Sequence, residues 1–158
     1  VRRYAVLTAL LAALLAAGLM ARPAGAAATA PPGTASAAAY GGSAAGNAAL
    51  NWAEGHAAGH PYVFGGTGPY GYDCSGLVYT AFSHAGVRLP RTTFSMLGSA
   101  RLHRVPAGQE RRGDLAFYGS GHVEIVTRWS RTTFGAHDSG SRVGWIREWM
   151  TPAFYRVY

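Results

Sequence analysis

The 158-residue chain changes texture once, near Gly113, and that change constrains its fold more than any other feature. Upstream, apolar residues recur at helical spacing: Leu77, Val78, Ala81, Phe82 and Ala85 form one stripe, closed by Gly86. Two further helices are predicted, one capped by Asn47 and running through Ala57, and a short one opened by Thr92 or Thr93 and running through Leu97. Tyr62-Val63-Phe64 reads as a short strand-like piece entering a Gly-rich turn that ends at Pro69. Downstream, alternating runs predict strands over 115–118, 122–127, 131–137 and 154–157. Helices first and strands afterwards is the order of an α+β domain, in which helices pack on a small antiparallel sheet.

Residues 47–158 hold all four tryptophans, show no internal repeat and have the length of one small domain. The chain before them is of another kind. Arg2 and Arg3 precede an apolar run from Tyr4 to Met20, and Arg22-Pro23-Ala24-Gly25-Ala26 follows, so residues 1–26 read as a secretory signal peptide. The run is shorter than the roughly 20 apolar residues a membrane span needs. Residues 27–46 are rich in Ala, Gly, Ser and Pro, a composition of a flexible linker that buries too little apolar surface to fold. Removing the signal takes Arg2, Arg3 and Arg22 with it and lowers the formal net charge from +7 to +4. The expectation is a secreted monomer, free of the membrane after cleavage, whose modest basic excess suits anionic polymers outside the cell. No run of arginines interleaved with aromatics marks a nucleic-acid groove.

The only cysteine, Cys74, stands where a turn hands over to the second helix, with Asp73 placed to cap the first turn. Unpaired N–H groups and the positive end of the helix dipole favour an anion there and pull a thiol below its free pKa of about 8.5. The same N–H groups can serve an oxyanion. Gly76 in that first turn costs roughly 1 kcal/mol relative to Ala, which calls for the close approach of another backbone or of a substrate. A lone cysteine is ordinarily a small buried apolar residue. In an exported chain, however, it has no internal disulfide partner and points to a free reactive thiol or an intermolecular pairing.

Gly121-His122-Val123-Glu124-Ile125-Val126 makes His122 the first residue of an alternating strand. Such an imidazole can take the thiol proton, pair with the thiolate and later protonate a leaving amine. Cysteine at a helix start followed by histidine on a strand is also the chain order of papain-type proteases. A third group orients the imidazole in such sites, and strand alternation selects His137. Glu124 shares a face with His122 and remains an alternative, as does Asp138, which alternation turns to the other face. His56, His60, His84 and His103 lie on polar or loop-like stretches and read as solvated. No Cys/His pair has zinc spacing, so neither a metal nor a cofactor is expected.

Five blocks, Pro61-Tyr62-Val63-Phe64-Gly65-Gly66, Asp73-Cys74-Ser75-Gly76-Leu77-Val78, Leu89-Pro90-Arg91-Thr92, Gly113-Asp114-Leu115 and Gly121-His122-Val123, together resemble the NlpC-type cell-wall cysteine peptidases. The resemblance implies a papain-like domain that hydrolyses an amide in peptidoglycan stem peptides, typically between D-glutamate and the diamino acid. It implies Cys74 as nucleophile and His122 as base, Tyr62 beside the oxyanion, and Asp73 and Ser75 in contact with the stem peptide. Amidase-type hydrolases that cut the sugar-peptide junction, and a wall-binding module without chemistry, are the competing readings. The sequence departs from the family pattern in three places. The third polar residue commonly lies close to Gly135, Glu124 replaces a small residue, and Arg112 replaces a proline, the last read as a loop matter.

Overall fold

The computed structural model describes residues 42–158, so the signal-peptide reading and most of the linker reading fall outside the described residues. Three helices come first, α1 (Ala44–His56), α2 (Cys74–His84) and α3 (Thr93–Leu97). Six strands follow: β1 (Leu102–Val105), β2 (Leu115–Tyr118), β3 (His122–Val126), β4 (Thr132–Gly135), β5 (Gly144–Arg147) and β6 (Ala153–Val157). They form one antiparallel sheet in the order β1-β6-β2-β3-β4-β5. This is the expected α+β, papain-like architecture. No helix among the described residues is long and apolar enough to cross a membrane.

Strand alternation decides which side chains meet the helices. Leu115, Phe117, Val123, Ile125 and Phe134 face α1 and α2 and join Leu50, Leu77 and Phe82 in the main core. Each of these large apolar side chains contributes about 1.5–3 kcal/mol by leaving water. Ala116, Tyr118, Val126 and Phe154 form a smaller cluster on the opposite face. That second face also carries His122 and Glu124, because they alternate with Val123 and Ile125.

Three departures from the sequence reading have tertiary causes. Helix α1 starts ahead of the expected Asn47 cap, inside the stretch read as linker, with Ser43 Oγ accepting from the Gly46 N–H at 3.0 Å. The reason is docking: a Cβ on Gly46 would lie 2.4 Å from the Gly113 carbonyl oxygen, so the helix start rests directly on the turn entering β2. Strands β1 and β5 are absent from the sequence reading. Both are sheet edges, and β5 alternates between half-buried and exposed, leaving no apolar stripe to read. Arg112 is no loop matter. It is buried and donates to Asn47 Oδ1 at 3.1 Å, Asn51 Oδ1 at 2.8 Å and Glu54 Oε2 at 2.9 Å, tying α1 to the sheet.

Candidate active site

The start of α2 is fixed by Asp73, whose Oδ1 accepts from the Gly76 N–H at 2.6 Å and whose Oδ2 accepts from the Gly65 N–H at 2.7 Å. A cap of this kind is worth about 1 kcal/mol. Arg91 binds the same carboxylate at 2.8 Å and donates to Ser75 Oγ at 2.9 Å and the Gly66 carbonyl at 3.3 Å. Burial works to raise the Asp73 pKa, but Arg91 and the two N–H groups outweigh it and hold the carboxyl below its ordinary range. Gly76 meets the condition set by its sequence position: a Cβ there would lie 1.9 Å from the Gly66 carbonyl oxygen. The approaching group is backbone. Asp73 and Ser75 line the neighbouring cleft, yet their polar atoms are already engaged by this scaffold, which favours holding the turn over direct contact with a peptide.

Cys74 is 7% exposed, with Sγ 3.9 Å from both Thr93 Oγ1 and the Gly121 carbonyl. Burial pushes the thiol up, while the hydrogen bond and charge of His122, the Val123 N–H and Thr93 bring it below its ordinary value. His122 opens β3 as expected. Burial pulls its pKa down, but Cys74 and Glu124 raise it to about 9. The two groups therefore favour a thiolate–imidazolium pair that titrates as a unit.

Behind His122, strand alternation alone makes His137 the immediate partner, with Glu124 as the alternative. The structure reverses that order. His122 Nε2 lies 2.9 Å from Glu124 Oε1, and His137 Nδ1 lies 2.9 Å from that same oxygen. The Thr133 hydroxyl donates to Glu124 Oε2. Burial raises the Glu124 pKa, and His122, Thr133 and His137 more than offset it, so the carboxyl stays ionised below its usual range. His137 lies just past the end of β4, not within a strand, and Asp138 is exposed with its N–H bonded to Ser141 Oγ. The ligand atoms of His122, Glu124 and His137 lie within 4.8 Å of one another, a spacing a metal ion could use, but their mutual hydrogen bonds account for it and we do not assign them as metal ligands.

On the other side of Cys74 opens a cleft of about 470 Å³ lined by Tyr62, Phe64, Cys74, Arg91, Thr93 and Phe94 among others. Burial, then the negative charge of Cys74, Asp73 and Asp138, raises the Tyr62 pKa, keeping its hydroxyl a proton donor at neutral pH. Phe64 and Phe94, 88% and 75% exposed, stand on the rim. The sequence reading places Phe64 in the strand-like piece before the Gly-rich turn without giving it a role at the site, and does not single out Phe94. Also unforeseen are Tyr118, whose buried hydroxyl faces Glu124 and Thr133, and Trp149. The Trp149 ring stacks on Tyr118 at 4.9 Å and meets His137 edge-on at 5.9 Å. His56 and His84 stack on Trp52 at 5.3 and 4.3 Å.

The family model described as the NlpC/P60 family matches residues 59–143, more than half of the chain. Among curated proteins, the bifunctional muramidase/DL-endopeptidase CwlT of Bacillus subtilis is 38% identical over 90 residues, covering 52% of this chain and 26% of CwlT. The peptidoglycan endopeptidase RipA of Mycobacterium tuberculosis is 40% identical over 74 residues, covering 46% of this chain and 15% of RipA. The chain thus spans only a fraction of the length of these relatives. Among solved structures, the NlpC/p60 domain of the peptidoglycan hydrolase SagA superposes with a TM-score of 0.61 at 28% identity, over 72% of this chain and 98% of that one. A structure of a RipA variant gives 0.63 at 30% identity, over 72% of this chain and 62% of that one.

Proposed function

Because this chain belongs to the NlpC/P60 family, we propose that it is a secreted peptidoglycan endopeptidase that hydrolyses the stem-peptide amide between D-glutamate and the diamino acid. The observation that carries this reading is the Cys74–His122 pair at the edge of the cleft, its thiol brought below and its imidazole raised above their ordinary pKa values. In the reading, the Cys74 thiolate attacks the carbonyl carbon, and the carbonyl oxygen becomes an oxyanion facing the Tyr62 hydroxyl and the first-turn N–H groups of α2. His122 gives its proton to the departing amine of the diamino acid as the C–N bond breaks, leaving a thioester on Cys74. Water then attacks the thioester, His122 takes the proton, and the C–S bond breaks to release the carboxylate and restore the pair.

Export through cleavage of residues 1–26 belongs to the same reading, and N-terminal sequencing of protein recovered from the medium is expected to begin at Ala27. The central experiment is mass spectrometry of peptidoglycan fragments after incubation with the protein and with Cys74→Ala. Fragments that begin at the diamino acid, absent with the variant, are expected. Fragments beginning at alanine would move the enzyme to cleavage at the sugar-peptide junction, and no Cys74-dependent product on several wall types would overturn the enzymatic reading.

A further inference from the structure

Strands β3 and β4 pair Ile125 with Phe134 and Val126 with Thr133. Continuing that register sets Glu124 opposite Gly135 and His122 opposite His137. Alternation places all four positions on one face of the sheet. They form a two-by-two patch of two imidazoles, one carboxylate and one missing side chain.

The missing side chain is what lets the carboxylate in. A Cβ on Gly135 would lie 2.7 Å from Glu124 Cγ and 3.2 Å from Glu124 Cβ. Gly135 is not among the glycines with positive φ, so its backbone makes no demand for glycine. Clearance is what it supplies. Within the space so made, Glu124 is fully buried and both oxygens are engaged, Oε1 by the two imidazoles and Oε2 by Thr133. Burying a carboxylate costs several kcal/mol unless its partners are well placed. Here two of those partners are imidazoles, which are a poor choice for a fastener and a good one for a proton-handling site.

We propose that Glu124 is the positioning residue of His122 and that His137 positions Glu124 in turn, a chain of three side chains whose carboxylate comes from the histidine's own strand and is admitted by Gly135. The proposal rests on the reading that Cys74 and His122 are the reacting pair. With Nε2 of His122 committed to the carboxylate, Nδ1 is the nitrogen left to take the thiol proton. The carboxylate also favours the imidazolium formed when that proton arrives.

The test combines a substrate-free readout with hydrolysis. The rate of Cys74 alkylation by iodoacetamide against pH reports the thiolate. Glu124→Gln, which keeps the shape and removes the charge, is expected to move the rise of that curve to higher pH. It is also expected to lower kcat on stem-peptide fragments at least about tenfold with KM little changed. His137→Gln should shift both readouts the same way by less. The exchange pair Glu124→Gly with Gly135→Glu, which supplies the carboxylate from the facing strand, should recover part of the loss. If Glu124→Gln alkylates with the wild-type pH profile, the positioning role is overturned. If the wild-type protein cleaves no wall fragment but the alkylation curve shifts as expected, the endopeptidase reading falls and the Glu124 assignment stands. If Glu124→Gln does not fold, the alkylation curve of His137→Gln decides, since its site is partly open to solvent. A shift to higher pH then supports the chain of three, and a wild-type curve overturns it.

Discussion

Two carboxylates among the described residues are fully buried in this sheet, and they keep opposite company. Asp114, at the entry to β2, is held by Arg156 through bonds of 2.9 and 2.7 Å and by the Arg111 N–H at 2.8 Å. Glu124, on the neighbouring strand, is held by two imidazoles and a hydroxyl. A guanidinium stays protonated at any pH a folded protein meets, and its planar fork fits a carboxylate. The partner of Asp114 therefore keeps its charge, whereas Glu124 faces His122, whose pKa is raised to about 9. The same kind of buried acid serves as a fastener beside a guanidinium and as a participant beside a reacting imidazole.

The largest effect that could break this contrast lies at the fastener. Asp114→Ala strips the partner from Arg156, whose side chain is only 18% exposed. Loss of one member of a buried pair costs about 3–5 kcal/mol, and the partial exposure of Arg156 places this case at the lower end. Urea unfolding should register that loss, while kcat of the folded fraction changes by less than about twofold. A collapse of activity with stability intact would erase the distinction between the two ends.

A pH series sharpens the contrast next. His122 has a folded pKa of about 9, raised from 6.5. The stability it contributes as an imidazolium is thus fully present below the unfolded value and lost as pH rises through about 9. Activity should fall across the same limb by about tenfold per pH unit, because the reacting pair loses its proton. Glu124 has the opposite sign: its folded pKa is depressed, so its contribution is present above the ordinary carboxylate range and lost as pH falls through the lowered value. Melting temperature measured from pH 2 to 10 reads both limbs and kcat/KM the upper one, and a flat profile would contradict the paired state.

The smallest effect is steric. Gly135→Ala adds one methyl against Glu124 Cγ, and overpacking of this size costs about 1–3 kcal/mol. The variant should melt lower and lose activity several-fold without any charge having been removed. An unchanged melt and an unchanged rate would mean that Glu124 has another place to go.

Much of this is legible in the sequence, and the divide is a physical one. The central strands read over 115–118 and 122–127 declare themselves through alternation, and α2 through its apolar stripe, because each turns an apolar face into the main core. Asp73 and Thr92 are readable as caps because capping is local. Cys74 at the helix start and His122 at the strand start are likewise visible from position alone. The edge strands, the early start of α1 and the Arg112 clamp are not, since each depends on groups distant in the chain. The order of His137 and Glu124 escapes the sequence for a subtler reason. Alternation puts both on the face of His122 and the register sets His137 opposite it; only the clearance over Gly135, which admits the Glu124 carboxylate, decides which of them bonds to it.

The exclusion between positions 124 and 135 also has a bearing on descent. A side chain on Gly135 and the present Glu124 claim one volume, so a lineage cannot move the carboxylate from one strand to the other by gaining the new one before losing the old. The site must first be emptied, and the emptied form leaves His122 without its acid. Each order of exchange between the two positions thus carries its own defect, crowding in one and a missing acid in the other.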